Sequence, residues 1–262
     1  MISIVRTNSY HNYRPIVEVR SLNRKVYNRI YNYICRRRLQ KVLPTMESEL
    51  NRYFKGSTTT GTQPITLWLA VKKILNTKPR MILESGTGAS SIVLSLAVKK
   101  LKSDDPNYEC KIISMESVKE WYDVAKVNLP AHHADTVELI YGPREKYEIS
   151  MFRGYIHSNI PERDFDFVFL DGPNFEDDKG TTFCADALYI YQKSGKKALE
   201  GVFDGRASTA FVIQTLFGRK SVEYFIPSLA GTFQLEAEKD FEKFNTTDFR
   251  NKLTGRLFLR NR

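Results

Sequence analysis

A carboxylate and two glycines stand together where a buried strand would end. Glu84, Gly86 and Gly88 lie in the stretch ESGTGAS, directly after the apolar run that begins at Met81. Glycines allow a sharp turn here, and the amide groups at the start of the following helix can face a ligand. A carboxylate two residues before the first glycine suits an ammonium group. The turn therefore predicts a site for the cationic amino-acid part of a ligand, with a buried, capped glutamate at a structural turn as the alternative.

Three more acids follow apolar runs of the same kind: Glu116, Asp171 and Asp204. Because parallel strands end at one edge of a sheet, we expect Asp171 and Asp204 to project into one crevice. Two carboxylates there can orient or deprotonate a hydroxyl, or hold a divalent cation (Mg or Mn) that lowers the pKa of a bound hydroxyl. The alternative for Asp204 is a solvated or capping carboxylate, and Gly205 offers no further ligand.

The glycine turn gives little support to a dinucleotide-binding site. The G-x-G-x-x-G fingerprint starting at Gly86 needs a third glycine at position 91, where this chain has Ser91. The ligand predicted for the turn is therefore one without a pyrophosphate.

Apolar runs alternate with helical stretches after Arg80, and this alternation is typical of a doubly wound α/β sheet. The predicted strands are 81–84, 111–115, 137–141, 165–170, 199–204, 221–226 and 256–259. The predicted helices between and after them are 89–101, 118–129, 144–158, 182–193, 206–217 and a polar one at 233–244. Two strands so near the end of the chain suggest an antiparallel finish.

The N-terminal part is basic and helical. Residues 1–41 hold ten Lys or Arg against the single Glu18, whereas the remaining chain is nearly neutral. Apolar residues at helical spacing from Ser21 predict one amphipathic helix that ends before Pro44. We expect Thr45 to cap a second helix and Pro64 to open a third.

The order of these motifs resembles that of class I S-adenosylmethionine-dependent methyltransferases. The resemblance rests on acidic-x-Gly-x-Gly at Glu84, the strand ending ISMES at Glu116, and FDFVFLDGP around Asp171, and it covers about residues 57–262. It implies an α/β, doubly wound, mostly parallel seven-stranded sheet with an antiparallel last strand. Residues 1–56 would then be a basic helical N-terminal extension, and residues 57–262 the Rossmann-like methyltransferase domain.

The resemblance also implies roles for individual residues in binding S-adenosylmethionine. Glu84, Gly86 and Gly88 would line the methionine and ribose side, with Ser90 at the position of the family's third glycine. Glu116 would take the ribose hydroxyls. Gly142, in the turn after the third strand, would allow close approach of the adenine; a plain Gly-Pro turn is equally open. Asp171 would contact the cofactor and act as the catalytic residue, and Asp171 with Asp204 would be the metal ligands.

Missing motifs narrow the choice of acceptor. The chain has no Asn/Asp-Pro-Pro-aromatic motif and no cysteine where a cytosine-attacking nucleophile is expected, and Asp204 stands where ribose-methylating enzymes have a lysine. These absences favour a hydroxyl of a small molecule or glycan. Arg206 could clamp an acidic group of the substrate, and His132, His133 and His157 are weaker candidates for a base.

Composition limits the location and the partners. We find neither an apolar run long enough to span a membrane nor a signal peptide, and the three scattered cysteines suggest neither a disulfide framework nor a zinc site, so we expect a cytoplasmic protein. The basic segment 1–41 could bind RNA through its cations and tyrosines, which makes a nucleic-acid-binding protein or RNA methyltransferase the alternative function. It could equally pack on the core or on a second subunit of a homo-oligomer.

Overall fold

The computed structural model of the protein describes residues 21–57, 61–173, 176–177, 180–225 and 230–239. The helices are α1 Ser21–Val42, α2 Met46–Gly56, α3 Pro64–Thr77, α4 Ala89–Asp104, α5 Lys119–Asn128, α6 Asp186–Lys193 and α7 Ala207–Phe217. The strands are β1 Met81–Ser85, β2 Lys111–Glu116, β3 Val137–Tyr141, β4 Arg144–Ile149, β5 Phe152–His157, β6 Phe167–Leu170, β7 Glu176–Asp177, β8 Gly180–Thr181, β9 Leu199–Phe203, β10 Val222–Phe225 and β11 Ala230–Leu235. Short 3₁₀ turns lie at Ala131–His133 and Arg219–Ser221.

Seven of these strands form one sheet in the order β10-β11-β9-β6-β1-β2-β3. Strands β1, β2, β3, β6 and β9 pair in parallel. Strand β11 pairs antiparallel with β9 on one side and β10 on the other. The prediction of a doubly wound, mostly parallel seven-stranded sheet with an antiparallel last strand is confirmed.

The central strands are buried on both faces because helices cover both. Successive side chains of β6 alternate between two apolar clusters: Val168 packs with α6 and α7, whereas Phe167 and Phe169 pack with α3 and α4. This alternation follows from the twofold period of a strand. The rigid centre of the sheet fixes where β1, β6 and β9 end.

The helix predicted at 144–158 is wrong: the chain forms the antiparallel hairpin β4–β5 there. The Arg, Glu and Lys side chains of β4 are exposed, and these residues also favour helices, so only Tyr147 and Ile149 at its end show the alternation of a strand. Strand β5 is fixed by a distant segment: the Tyr155 amide donates to the Phe183 carbonyl at 2.9 Å. The Ala185 amide in turn donates to the Tyr155 carbonyl at 2.8 Å, and α6 begins at Asp186, directly after this contact, rather than at Thr182.

The polar helix predicted from Phe233 is also wrong at its start, since Phe233 lies within β11. Phe233 and Leu235 are buried while Gln234 between them is exposed, which is a strand pattern. A Cβ on Gly201 of β9 would lie 2.5 Å from the Phe233 ring, so glycine makes room for this phenylalanine. Residues 240–244 and the strand predicted at 256–259 lie outside the described residues.

The helices α1 and α2 pack on the sheet's helical layer. Leu39 of α1, Leu43 after it and Met46 of α2 join the apolar cluster of α3 and α4. Thr45 makes no capping hydrogen bond; Ser48 Oγ instead donates to the Thr45 carbonyl at 2.7 Å. Among the described helices, we find none long and apolar enough to cross a membrane.

Candidate active site

The turns after β1 and β6 touch each other through glycine backbones. Gly86 has a φ of 94°, and a Cβ there would lie 2.9 Å from the Gly172 amide nitrogen. A Cβ on Gly172 would in turn lie 2.8 Å from the Gly86 nitrogen. Both glycines are therefore required by conformation or by close approach. Their contact fixes the glycine turn against the residue that follows β6.

Backbone hydrogen bonds extend the ladder of the sheet beyond the strand ends. The Asp171 amide donates to the Ser85 carbonyl at 2.8 Å, and the Asp204 amide donates to the Leu170 carbonyl at 3.0 Å. The Gly86 amide likewise donates to the Met115 carbonyl at 2.9 Å. The structure thus brings Glu84, Glu116, Asp171 and Asp204 to one edge of the sheet.

Glu84 is fully buried at the base of the glycine turn. Ser91 Oγ donates to its Oε2 at 2.6 Å, whereas its Oε1 is buried and accepts no hydrogen bond from the described residues. Burial raises the pKa of Glu84 to about 7, against the lowering effect of the Ser114, Ser90 and Ser91 hydroxyls. A buried acceptor without a donor is costly, so Oε1 is suited to a donor from a ligand.

Ser91 explains why the third dinucleotide glycine is absent. Its Oγ accepts from the Gly88 amide at 3.2 Å and also lies 3.2 Å from Ser114 Oγ while it donates to Glu84. Glycine at this position would remove the hydroxyl that holds the carboxylate. Ser90 is also buried here, beside Glu84.

Glu116 lies at the tip of β2 and is 4% exposed. Its Oε1 accepts from the amides of Ser117 at 2.7 Å and Val118 at 2.8 Å, which fixes the carboxylate at the edge of the sheet. Gly142 follows β3, and a Cβ on it would lie 2.2 Å from the Ser158 carbonyl oxygen. Its lack of a side chain is therefore required by packing within the protein.

Asp171 and Asp204 lie at adjacent strand tips, and each accepts a threonine hydroxyl. Thr62 Oγ1 donates to Asp171 Oδ2 at 3.0 Å, and Thr66 Oγ1 donates to Asp204 Oδ1 at 2.7 Å. The threonines flank Pro64 at the start of α3, where the helix dipole favours negative charge. Burial, and to a smaller extent the charge of Asp204, raises the pKa of Asp171 to about 6. Burial also raises the pKa of Asp204.

Arg206 lies beside these two carboxylates. Only 5% of Arg206 is exposed, and its Nη1 donates to the Pro173 carbonyl at 2.9 Å. Its charge acts against burial by lowering the pKa of both Asp171 and Asp204. Two carboxylates and one guanidinium therefore form a largely buried charged group at the strand tips. The carboxylates have the oxygen ligands a divalent cation prefers, although the guanidinium already supplies positive charge there.

A buried polar cluster lies directly behind the glycine turn, and sequence reasoning missed it. Ser85 Oγ donates to Asp186 Oδ2 at 2.5 Å, and the same oxygen lies 2.7 Å from His157 Nδ1. The His157 amide donates to Asp186 Oδ1 at 2.9 Å. His157 is thus held inside the protein and is not placed as a base for a substrate. An aspartate at the start of the apolar helix α6 was the available signal.

His132 and His133, the other histidine candidates, lie against Glu49 of α2.

Comparison with solved structures identifies the fold. The chain superposes on the SAH-bound methyltransferase PaMTH1 of Podospora anserina with a TM-score of 0.50 and 13% identity, covering 91% of this chain and 100% of that chain. It also resembles a SAM-dependent methyltransferase from Aquifex aeolicus, with a TM-score of 0.37 and 12% identity over 63% of this chain and 87% of that one. No family model matches the sequence, and no curated protein matches it either. The first superposition shows that this chain has the fold of the S-adenosylmethionine-dependent methyltransferases, so the predicted resemblance is confirmed at the level of the fold.

The raised pKa of Glu84 predicts that stability falls as the pH rises. The folded state keeps its proton up to about pH 7, whereas the unfolded state loses it near pH 4.3, so the free energy of unfolding decreases between these values, by roughly 4 kcal/mol. Replacing Glu84→Gln should remove this contribution. Urea denaturation at pH 5 and pH 8 measures the change in the free energy of unfolding. The raised pKa of Asp171 adds a smaller decrease in the same direction.

Glu138→Gln on the exposed part of β3 is the matched control and should keep the wild-type pH dependence. An equal pH dependence in wild type and Glu84→Gln would show that Glu84 is ionised in the folded protein at neutral pH, contrary to this account.

Proposed function

We propose that the protein is an S-adenosylmethionine-dependent methyltransferase. The observation that carries the proposal is the buried Glu84 carboxylate beneath the glycine turn, whose Oε1 accepts no hydrogen bond from the described part of the chain, in a protein with this fold. An ammonium group supplies both the hydrogen bond and the charge that such a carboxylate lacks. S-adenosylmethionine carries this group, and when bound it supplies a methyl group on a sulfonium.

The other residues at the edge fit the remaining parts of this ligand. Gly88 leaves open space beside the turn, since a Cβ there would meet only the Tyr53 hydroxyl, at 4.0 Å. Gly86 would line the ligand as part of the same turn, which its contact with Gly172 holds in place, and Ser90 lies at the start of α4 beside them. Glu116, fixed at the tip of β2, would accept the ribose hydroxyls with its second carboxylate oxygen. Gly142 would form part of the adenine side, although its own close contacts are within the protein.

Asp171 is our candidate for the catalytic residue. Thr62 occupies Oδ2, which leaves Oδ1 to accept the proton of an acceptor hydroxyl. With a pKa of about 6, this carboxylate is mostly ionised at neutral pH but holds a proton more readily than an exposed aspartate, as a general base requires. Arg206 stabilises the negative charge of the pair formed with Asp204.

We propose that the methyl acceptor is a hydroxyl of a small molecule or glycan. The motifs that the sequence lacks and the aspartate at the strand tip support this acceptor. Divalent cation binding by Asp171 and Asp204 is an optional part of this mechanism.

Residues 1–56 are proposed as a basic extension to a methyltransferase domain of residues 57–262, with α1 and α2 packed on α3 and α4. The cytoplasmic location stays a prediction from the sequence.

RNA is the second candidate acceptor, favoured by the exposed surface of α1. This surface presents Tyr27 and Tyr33, which are 55% and 66% exposed, among exposed basic residues that include Lys25, Arg29 and Arg37. Cations interleaved with aromatic rings can contact phosphates and stack on bases. The exposed Val26 and Ile30 on the same helix would equally suit a second copy of the chain.

The first prediction from the proposed function concerns ligand binding. Isothermal titration calorimetry should detect S-adenosylhomocysteine binding to the wild-type protein. Gly86→Ala should abolish it, because the added Cβ meets the backbone of Gly172 at 2.9 Å and Asp171 at 3.0 Å.

Gly195→Ala is the matched control. Gly195 also has a positive φ, of 72°, but a Cβ there meets nothing within 4 Å, so this variant carries similar backbone strain without the clash. It should bind like wild type. Wild-type protein that does not bind at high micromolar ligand, or equal binding by both variants, contradicts the proposal.

The second prediction concerns the reaction. With an acceptor found by screening for transfer of a radiolabelled methyl group, Asp171→Asn should lower kcat by a factor on the order of 10² to 10⁴ while leaving S-adenosylhomocysteine affinity nearly unchanged. Wild-type activity should rise as the pH passes about 6, because the base must be ionised.

Treatment with a chelator separates the two versions of this mechanism. Activity that is lost with chelator and restored by magnesium or manganese supports Asp171 and Asp204 as metal ligands, whereas activity that survives both chelator and Asp204→Ala rejects the metal. Wild-type turnover by Asp171→Asn would rule out the catalytic role.

The third prediction tests the RNA alternative. If α1 binds RNA, exchanging Lys25, Arg29 and Arg37 for glutamate should abolish binding at low salt, and wild-type affinity should fall by orders of magnitude between 50 and 200 mM salt. Exchanging the exposed Lys102, Lys126 and Lys146 on other elements is the charge-matched control. Wild-type protein that binds no RNA at low salt eliminates this candidate, and dimerisation through α1 would appear in sedimentation instead.

A further inference from the structure

Glu49, His132 and His133 form a cluster on a different part of the protein from the acids at the strand tips. Each offers one ligand atom, and these atoms all lie within 4.8 Å of one another. His132 Nε2 lies 3.3 Å from Glu49 Oε1, and His133 Nε2 lies 3.9 Å from Glu49 Oε2. Glu49 comes from α2, and the histidines come from the 3₁₀ turn before β3.

Two atoms of the cluster are buried without a partner. His133 is 0% exposed, and its Nε2 makes no hydrogen bond with the described residues; the same holds for the buried Glu49 Oε2. Their separation of 3.9 Å is too long for a hydrogen bond between them. Buried polar atoms in native proteins are nearly always satisfied, so this pair calls for a further group between them.

The surroundings of His133 favour a neutral imidazole with a free lone pair. Its Nδ1 lies 2.8 Å from Ser95 Oγ, and when Nδ1 carries the proton it donates to that hydroxyl. Nε2 then faces the carboxylate as an acceptor, as in the orienting contacts of metal-bound histidines.

We propose that Glu49, His132 and His133 bind a zinc ion. Two imidazole nitrogens and a carboxylate are a common zinc ligand set, with a water in the fourth position. In a tetrahedral site with bonds of 2.0–2.1 Å, neighbouring ligand atoms lie about 3.3 Å apart. The separations of 3.3 Å to Oε1 and 3.9 Å to Oε2 of Glu49 are at or above this value, and all three ligand atoms lie within 4.8 Å of one another, so the ion would draw the side chains together on entering.

The charge of Lys99 beside the cluster is partly balanced by an acid. Lys99 donates to the His132 carbonyl and lies 3.9 Å from Asp135, so its charge is partly offset by that of Asp135. The Glu49 carboxylate then supplies negative charge within the cluster. His132 is 47% exposed, which leaves a route for an ion from solvent.

The site would fix α2 over the glycine turn. One turn after Glu49 on α2, Tyr53 is buried against Ala89 and Ile92 of α4. Its hydroxyl lies 4.0 Å from the position of a Cβ on Gly88. A metal ion held between α2 and the histidines would therefore stabilise the packing of Tyr53 beside the turn.

Metal content and metal-dependent stability test the site independently of any enzymatic activity. Full-length protein without an affinity tag is treated with EDTA, dialysed, and titrated with Zn²⁺ alone. We expect about one zinc per chain by mass spectrometry of the gel-filtered protein and a higher melting temperature with zinc than without. Glu49→Gln and His132→Ala should each weaken zinc affinity at least about 100-fold, beyond the 10–100-fold typical of losing an outer-shell partner.

His132 is partly exposed, so His132→Ala should fold even if changes to the buried His133 do not. Matched controls are Glu120→Gln on the exposed side of α5 and His11→Ala, a histidine outside the described residues. Both should bind zinc like wild type. Wild-type protein that binds less than a fifth of an equivalent after gel filtration overturns the proposal, as does unchanged affinity in both Glu49→Gln and His132→Ala.

Discussion

The burial of one carboxylate at the end of the central strand is the constraint on which the site depends. Glu84 lies between β2 and β6, the two strands that pair with β1, and is removed from water. Such a group costs free energy when ionised, as its raised pKa indicates. Three serine hydroxyls reduce this cost without removing it. A protein that retains such a group gains from a cationic ligand, which would stabilise the ionised form.

The glycine turn and the acids at the neighbouring strand tips are coupled through the backbone. Gly86 and Gly172 are in contact, so the position of Asp171 depends on the same turn that lies above Glu84. The start of α3 provides the hydroxyls of Thr62 and Thr66 to the two aspartates, and Arg206 provides the opposing charge. A ligand that fills the glycine turn would therefore lie against an edge whose acids are already held in place, as preorganised catalysis requires.

Much of this edge could be predicted from the sequence because local signals determine it. Apolar runs mark β1, β2, β6 and β9, and a residue directly after a parallel strand must lie at the carboxyl edge. The positions of Glu84, Glu116, Asp171 and Asp204 at this edge follow from that rule. Helical spacing, Pro44 and Pro64 likewise predict α1, α2 and α3.

The remainder depends on contacts between residues far apart in sequence. The first strand of the hairpin β4–β5 is charged and mostly exposed, with apolar alternation only at its end, and hydrogen bonds to Phe183 and Ala185 set the position of the hairpin. Strand β11 is inserted between β9 and β10, a pairing that no local pattern specifies. Ser85 and Asp186 are separated by 101 residues and meet only in the folded chain.

The most direct measurement of the central claim is a crystal structure of the protein grown with S-adenosylhomocysteine. We predict electron density for the ligand along the edge formed by β1, β2 and β6. Its ammonium group would lie within hydrogen-bond distance of Glu84 Oε1, and its ribose hydroxyls would lie at Glu116. Density that places the ligand elsewhere, or a ligand at this edge whose ammonium group is bound by another residue while Glu84 Oε1 stays without a donor, would contradict this prediction.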